Sequence, residues 1–135
     1  MGLDNGFVVM SNKRKITRED LPKGIIYPFN EDYESAPEIV YWRKNWGLRN
    51  AVLDKIGNQG RDNYHYEINT PEQLFEIVHV IFSFMDEKVW EDEGQSIWSY
   101  DEVKPRLMND IFNLILMIPF MRVNPDVYLE FYDSY

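Results

Sequence analysis

The chain has 135 residues and no cysteine, so disulfides and thiolate metal sites are excluded, and its length suits one domain, residues 1–135, with a sizeable core. The net charge of −9 is uneven: residues 1–61 carry 10 basic and 8 acidic side chains, residues 62–135 carry 4 and 15. An acidic field of that size repels phosphate backbones at long range and argues against direct nucleic-acid binding, while still allowing a locally held anion or a basic partner.

Residues 1–10 show neither a basic n-region nor an apolar h-region, so no signal peptide is expected. The longest apolar run, residues 114–121, falls well short of the roughly 20 residues a spanning helix needs, so the expectation is a cytoplasmic protein without membrane contact. Residues 1–10 instead predict a strand, because GFVVM is aromatic and β-branched and Asp4-Asn5-Gly6 is a bend signal. A basic loop follows over residues 11–18, and Thr17 three residues before Asp20 predicts a short helical turn that stops at Pro22. Residues 24–36 are irregular and proline-bracketed; a loop of that length is often functional, and here it is expected to lie as a lid over the next element.

That element, residues 38–56, reads EIVYWRKNWGLRNAVLDKI and predicts one helix. At about 100° per residue, Ile39, Trp42, Trp46, Leu53 and Ile56 share a side. Pro37 suits a first helical turn and Gly57 a C-terminal stop. Gly47 costs a helix roughly 1 kcal/mol and leaves room for a close approach to the backbone. On the same projection Trp42, Arg43, Trp46, Arg49 and Asn50 form a mixed aromatic and cationic strip, and Tyr41, Lys44 and Asp4 complete the candidate ligand-binding set. A guanidinium beside indole rings holds a phosphate or carboxylate while a ring stacks on a base. The plainer alternative is that the tryptophans are core and the arginines pair with nearby carboxylates or reach out to solvent.

A polar loop over residues 58–63 leads into a short alternating strand, residues 64–68. Thr70-Pro71-Glu72-Gln73 is a helix start with a capping box, and the helix is expected to run to about Trp90 with Leu74, Ile77, Val78, Ile81, Met85 and Val89 as its buried stripe, widened by Phe75, Phe82 and Phe84. Residues 96–98 suggest a short strand. Ser99 and Glu102 offer another cap, although Pro105 argues for a later start, and from residue 111 onward the helix is apolar nearly all round, so it is expected to be the central buried one before Pro119 ends it. Residues 127–132 alternate as a half-buried strand. The fold class that follows is α+β: a small antiparallel sheet containing both terminal strands, which such a sheet allows to be adjacent, packed against about three helices.

The opening MGLD, the motif Tyr41-Trp42-Arg43-Lys44 with a tryptophan close behind, the helix near residues 72–74 and the aromatic ending LEFYDSY together resemble a widespread family of small phage and prophage proteins. The resemblance implies phage origin and a compact α+β fold, and no established chemistry. The chain departs from that pattern at Asn5-Gly6, where larger apolar residues are usual, and at Tyr135, often Trp.

Three functions compete, in this order. The first is a counter-defence protein that sequesters a nucleotide-type signalling molecule in the cell hosting the phage: rings stack the base, Arg43 and Arg49 neutralise phosphate, and Asn50, Asn45 or Asp4 reads hydroxyls or base edges. The second is an acidic protein inhibitor or DNA mimic acting on a basic host protein. The third is a nucleotide-processing enzyme, although the chain has no P-loop, GxSxG, HExxH or Cys–His pair, and His65 and His79 lack a metal spacing. No cofactor, metal or catalytic residue is assigned, and the aromatic content admits a homodimer.

Overall fold

The structure is a computed structural model and describes residues 3–31, 36–57 and 65–134. Its centre is the pair formed by β1 (Asp4–Ser11) and β4 (Val127–Ser134), antiparallel and in register from Asp4 opposite Ser134 to Ser11 opposite Val127. Period-two alternation explains both strands. Asn5, Phe7 and Val9 with Val127, Leu129, Phe131 and Asp133 are buried on one face, while Tyr128, Glu130 and Tyr132 are half-buried on the other. β2 (Glu38–Arg43) flanks β1 and β3 (His65–Ile68) flanks β4, giving the order β2-β1-β4-β3, antiparallel throughout. The terminal strands are therefore adjacent, and the α+β class follows from helices packed on one face of this sheet.

The helices are α1 (Trp46–Ile56), α2 (Pro71–Ser83), α3 (Glu87–Glu93) and α4 (Tyr100–Val123), four among the described residues where about three were expected. A continuous buried cluster joins Phe7, Trp42, Val52, Ile77, Leu107, Leu114 and Phe131 across the two layers.

Four sequence expectations are corrected. Residues 38–56 do not form one helix: Glu38–Arg43 is a strand, and only Trp46–Ile56 is helical. Ile39, Val40, Tyr41 and Trp42 are β-branched or aromatic and find a partner strand in β1, and Lys44 then turns the chain through a left-handed conformation (φ 56°). The helix from Pro71 ends at Ser83, because Asp86 caps a new one by accepting the Val89 amide at 3.1 Å. Residues 96–98 form no strand, only a single bridge between Ser96 and Asn45. Finally, α4 starts directly after Ser99, which accepts the Glu102 amide at 3.2 Å, and runs through Pro105 and Pro119 to Val123. Both prolines are on exposed positions, where the carbonyls they free are open to solvent rather than buried unpaired. Nor is α4 buried all round beyond residue 111: Phe112 and Ile115 are exposed.

The capped turn at Arg18–Asp20 is present as a 3-10 turn, and Gly57 ends α1 with a positive φ of 82°. The expected loop over residues 58–63, Tyr64 of the third strand, and residues 32–35 of the expected lid lie outside the described residues.

Candidate functional site

A cleft of about 540 Å3 runs along the edge of β2 that faces away from β1. Three segments build it. β2 and the turn after it supply Tyr41, Trp42, Arg43 and Asn45; residues 26–29 form the opposite wall; Trp98 and α4, through Arg106, Asn109 and Asp110, close the rest. The 26–29 wall is fixed by Asn113 of α4, whose side-chain amide donates to the Ile26 and Ile39 carbonyls (2.8 and 2.9 Å) and whose Oδ1 accepts the Ile26 amide at 3.0 Å. One buried asparagine thus ties the wall, the strand and the helix together. Arg18 supports the wall from outside, donating to the Phe29 carbonyl at 2.7 Å and lying 4.1 Å above the Tyr27 ring. The described part of the expected lid, residues 24–31, therefore stands beside β2 rather than over α1.

The cleft wraps the outer edge of β2: Trp42 projects to the helix face with Asp110, while Tyr41 and Arg43 alternate to the face that carries Asp4. Phe29 and Tyr41 pack with ring centroids 4.9 Å apart. Trp98 is anchored through its indole N–H, which donates to the Arg43 carbonyl at 3.3 Å, and the Arg106 guanidinium lies 4.5 Å from its ring. The Tyr41 hydroxyl donates to Asp4 at 2.8 Å, and burial, then that hydrogen bond, holds the phenol above its ordinary range.

Asp110 carries the most unusual chemistry. Its Oδ2 accepts the Trp42 indole N–H at 2.9 Å. Burial in the cleft wall pushes its carboxyl up to about 7, against the smaller opposing pulls of the Trp42 hydrogen bond and the Arg106 charge. Near neutrality the cleft therefore presents either a carboxyl that donates or a carboxylate that only accepts.

The strip expected on one helix divides. Tyr41, Trp42 and Arg43 reach the cleft; Lys44, Trp46, Arg49, Asn50 and Asp4 do not line it. Trp42 is core, 2% exposed, with only its indole edge toward Asp110. Arg49 grips buried Asp133 through Nε (3.1 and 3.2 Å) and Nη2 (2.7 Å), donates to Asn50 Oδ1 at 2.9 Å, and has its guanidinium 5.7 Å from the Trp46 ring. Asn5 adds a hydrogen bond to the same Asp133 carboxylate at 2.8 Å. This is a structural ion pair, close to the plainer alternative for those residues. Asp4 shares the sheet face away from the helices with Tyr41, which donates to it, and with the buried Tyr132–Glu38 pair, in which Tyr132 donates and its phenol lies far above the ordinary range, burial being the main cause.

Arg106, Asn109, Asp110, Trp98 and Phe29 were missed by reading the chain. Arg106, Asp110 and Asn113 sit three or four residues apart on a helix otherwise rich in apolar residues, and that polar stripe was the available signal. No metal-ligand cluster of three His, Asp or Glu side chains occurs among the described residues, and no helix among them is long and apolar enough to cross a membrane. No family model, curated protein or solved structure matches the chain.

Proposed function

We propose that this is a phage-derived small binding protein that sequesters a nucleotide-type signalling molecule in the β2–α4 cleft. The observation that carries the reading is the convergence of Phe29, Tyr41 and Trp98 with Arg43 and Arg106 around one space of about 540 Å3, within the range of small-molecule sites. Flat aromatic walls suit a base, and Arg106 against Trp98, with Arg43 at the strand's edge, suits phosphate oxygens. A locally cationic cleft on a chain of net charge −9 favours a small phosphorylated ligand over a nucleic acid, whose extended backbone meets the acidic remainder of the surface.

Calorimetric titration with mono-, di- and cyclic nucleotides tests this. Arg43→Ala and Arg106→Ala are each expected to weaken binding about tenfold or more, a loss of roughly 1.4 kcal/mol or above, with unchanged circular dichroism. Trp46→Ala, outside the cleft, is expected to bind as the wild type does. Failure of every nucleotide to bind, or wild-type affinity in both arginine variants, rejects the reading. A second reading, an acidic inhibitor of a basic protein, is favoured by α3 and its cap, where Asp86, Glu87, Glu91, Asp92 and Glu93 are all exposed. Under it, Glu91→Lys with Asp92→Lys abolishes capture of the partner and leaves nucleotide affinity alone.

A further inference from the structure

Away from the sheet, the seam between α2 and α4 exposes five large apolar side chains: Phe75 (62%), Phe82 (59%), Met108 (55%), Phe112 (55%) and Ile115 (46%). They form one strip. Phe75 and Phe82 are seven residues apart on α2, and Met108, Phe112 and Ile115 recur at four and three on α4. The helices run antiparallel with a fixed register: Arg122 pairs with Glu72 at 3.5 Å near one end, and the Tyr100 hydroxyl donates to the Met85 carbonyl at 2.6 Å near the other. That register sets Phe75 level with Ile115 and Phe82 level with Met108. The cleft is on the other flank of α4, with Arg106 and Asp110, so the strip serves something else.

Area and charge indicate the occupant. A half-exposed ring offers roughly 100 Å2, given the 150–250 Å2 that a fully covered one buries, so the strip presents roughly 500 Å2 of apolar surface. That is near the upper end of what monomers leave uncovered. With a polar rim it approaches the roughly 600–800 Å2 per copy that a stable dimer buries. The rim carries both signs: Glu72 and Glu76 border it on α2 and Lys104 and Arg122 on α4, with Asp101 the acidic exception at that helix's start; within one copy Glu72 pairs with Arg122 and Glu76 with Lys55 at 3.9 Å, exposed pairs that exchange partners across a two-fold at little cost. A two-fold axis along the seam lays α2 of one copy antiparallel on α4 of the other and sets acidic rim against basic rim. An axis across the seam would set acidic α2 against itself. The net charge of −9 disfavours an anionic lipid surface in the same place.

We infer that the α2–α4 seam is a homodimer interface, with Phe75 of one copy against Ile115 of the other and Phe82 against Met108 in an antiparallel four-helix arrangement. Sedimentation equilibrium of the full chain at high micromolar concentration is expected to give twice the 16.2 kDa chain mass. Phe75→Ser combined with Phe112→Ser, both on exposed positions, is expected to sediment as a monomer with an unchanged circular dichroism spectrum and unchanged nucleotide affinity. A readout independent of that variant uses the absence of cysteine: a mixture of Phe75→Cys and Ile115→Cys chains should cross-link on oxidation faster than either alone. A monomeric wild type overturns the inference, and vesicle binding by that monomer, lost in the double variant, would give the strip to lipid instead. A double variant that stays dimeric, with no preference for the mixed cross-link, equally overturns it.

Discussion

Asp110 shows how one side chain's surroundings become a pH-dependent property of the protein. Its native carboxyl titrates at about 7, whereas the unfolded chain releases that proton near 3.8. Between those values the native state binds the extra proton, so stability falls as pH rises through this window and levels off above it. Asn in its place still accepts the Trp42 indole N–H at 2.9 Å without a charge to desolvate. Asp110→Asn is therefore expected to be more stable than the wild type at pH 8, by about 1–2 kcal/mol or roughly 3–8 °C in Tm, with the gap narrowing toward pH 4–5. Thermal melts at pH 5 and pH 8 measure it, and a gap that does not depend on pH would show that the carboxyl is not protonated in the folded protein. Gly6 and Asn5 illustrate the same local logic. A Cβ at Gly6 would collide with the Glu38 carboxylate and the Tyr132 ring, and the Asn5 amide supports the Asp133 carboxylate gripped by Arg49. Gly6 thus makes room for one buried polar pair and Asn5 completes another.

At the scale of elements, the decisive feature is the junction where α3 ends against the start of α1. The Gly47 amide donates to the Gly94 carbonyl at 2.8 Å, and the Trp46 amide points to the Gln95 carbonyl at 3.4 Å, so one helix's unpaired N–H groups meet carbonyls just beyond the other. The acidic last turn of α3, unfavourable to its own dipole, thereby lies beside the positive end of α1. Backbone contact this close requires Gly47, where a Cβ would run into the Glu93 carbonyl oxygen and lie 2.6 Å from that of Gly94. Helix propensity alone makes Gly47→Ala stabilising by about 1 kcal/mol, but the collision is with backbone that cannot rotate away. The expected outcome is a loss of about 2–3 kcal/mol in chemical denaturation, and a variant at least as stable as the wild type would refute the junction. This junction also explains what could be read from the chain. Gly47 was recognisable as a close-approach position, the caps at Thr70 and Ser99 follow from local spacing, and the alternation of β1 and β4 is explicit. The break at Lys44–Asn45 was not, because residues 39, 42 and 46 satisfy helical spacing while Val40 and Trp42 equally satisfy a strand's. Only pairing with β1 decides between them. The cleft suffered most, since its walls come from residues 26–29, 41–45 and 98–110, which no local pattern connects.

For the whole molecule, the order β2-β1-β4-β3 places the first and last described strands side by side at the centre, so the sheet's main contact spans nearly the entire chain. Loop-closure entropy must be met before β1 and β4 reward it, which predicts slow folding relative to a helical protein of this size. The helices cannot substitute. Val127, Leu129 and Phe131 of β4 are at most 1% exposed and complete the core under α2 and α4, and β3 has no partner among the described strands other than β4. A chain ending at Asn124 therefore loses both the central ladder and a large share of the buried apolar surface. With three such side chains each contributing about 1.5–3 kcal/mol against a total stability of about 5–15 kcal/mol, the truncated chain is expected to show no cooperative thermal transition, while retaining some helical circular dichroism from α2 and α4. Adding a peptide of residues 125–135 should restore the transition, because the missing strand docks between two edges already patterned to receive it. Cooperative melting of the truncated chain by itself would mean that the helical layer forms an independent core. The cleft gives a second readout of the same event: among the described strands its β2 wall pairs with β1 alone, so nucleotide binding and the central ladder should be lost, and regained, together.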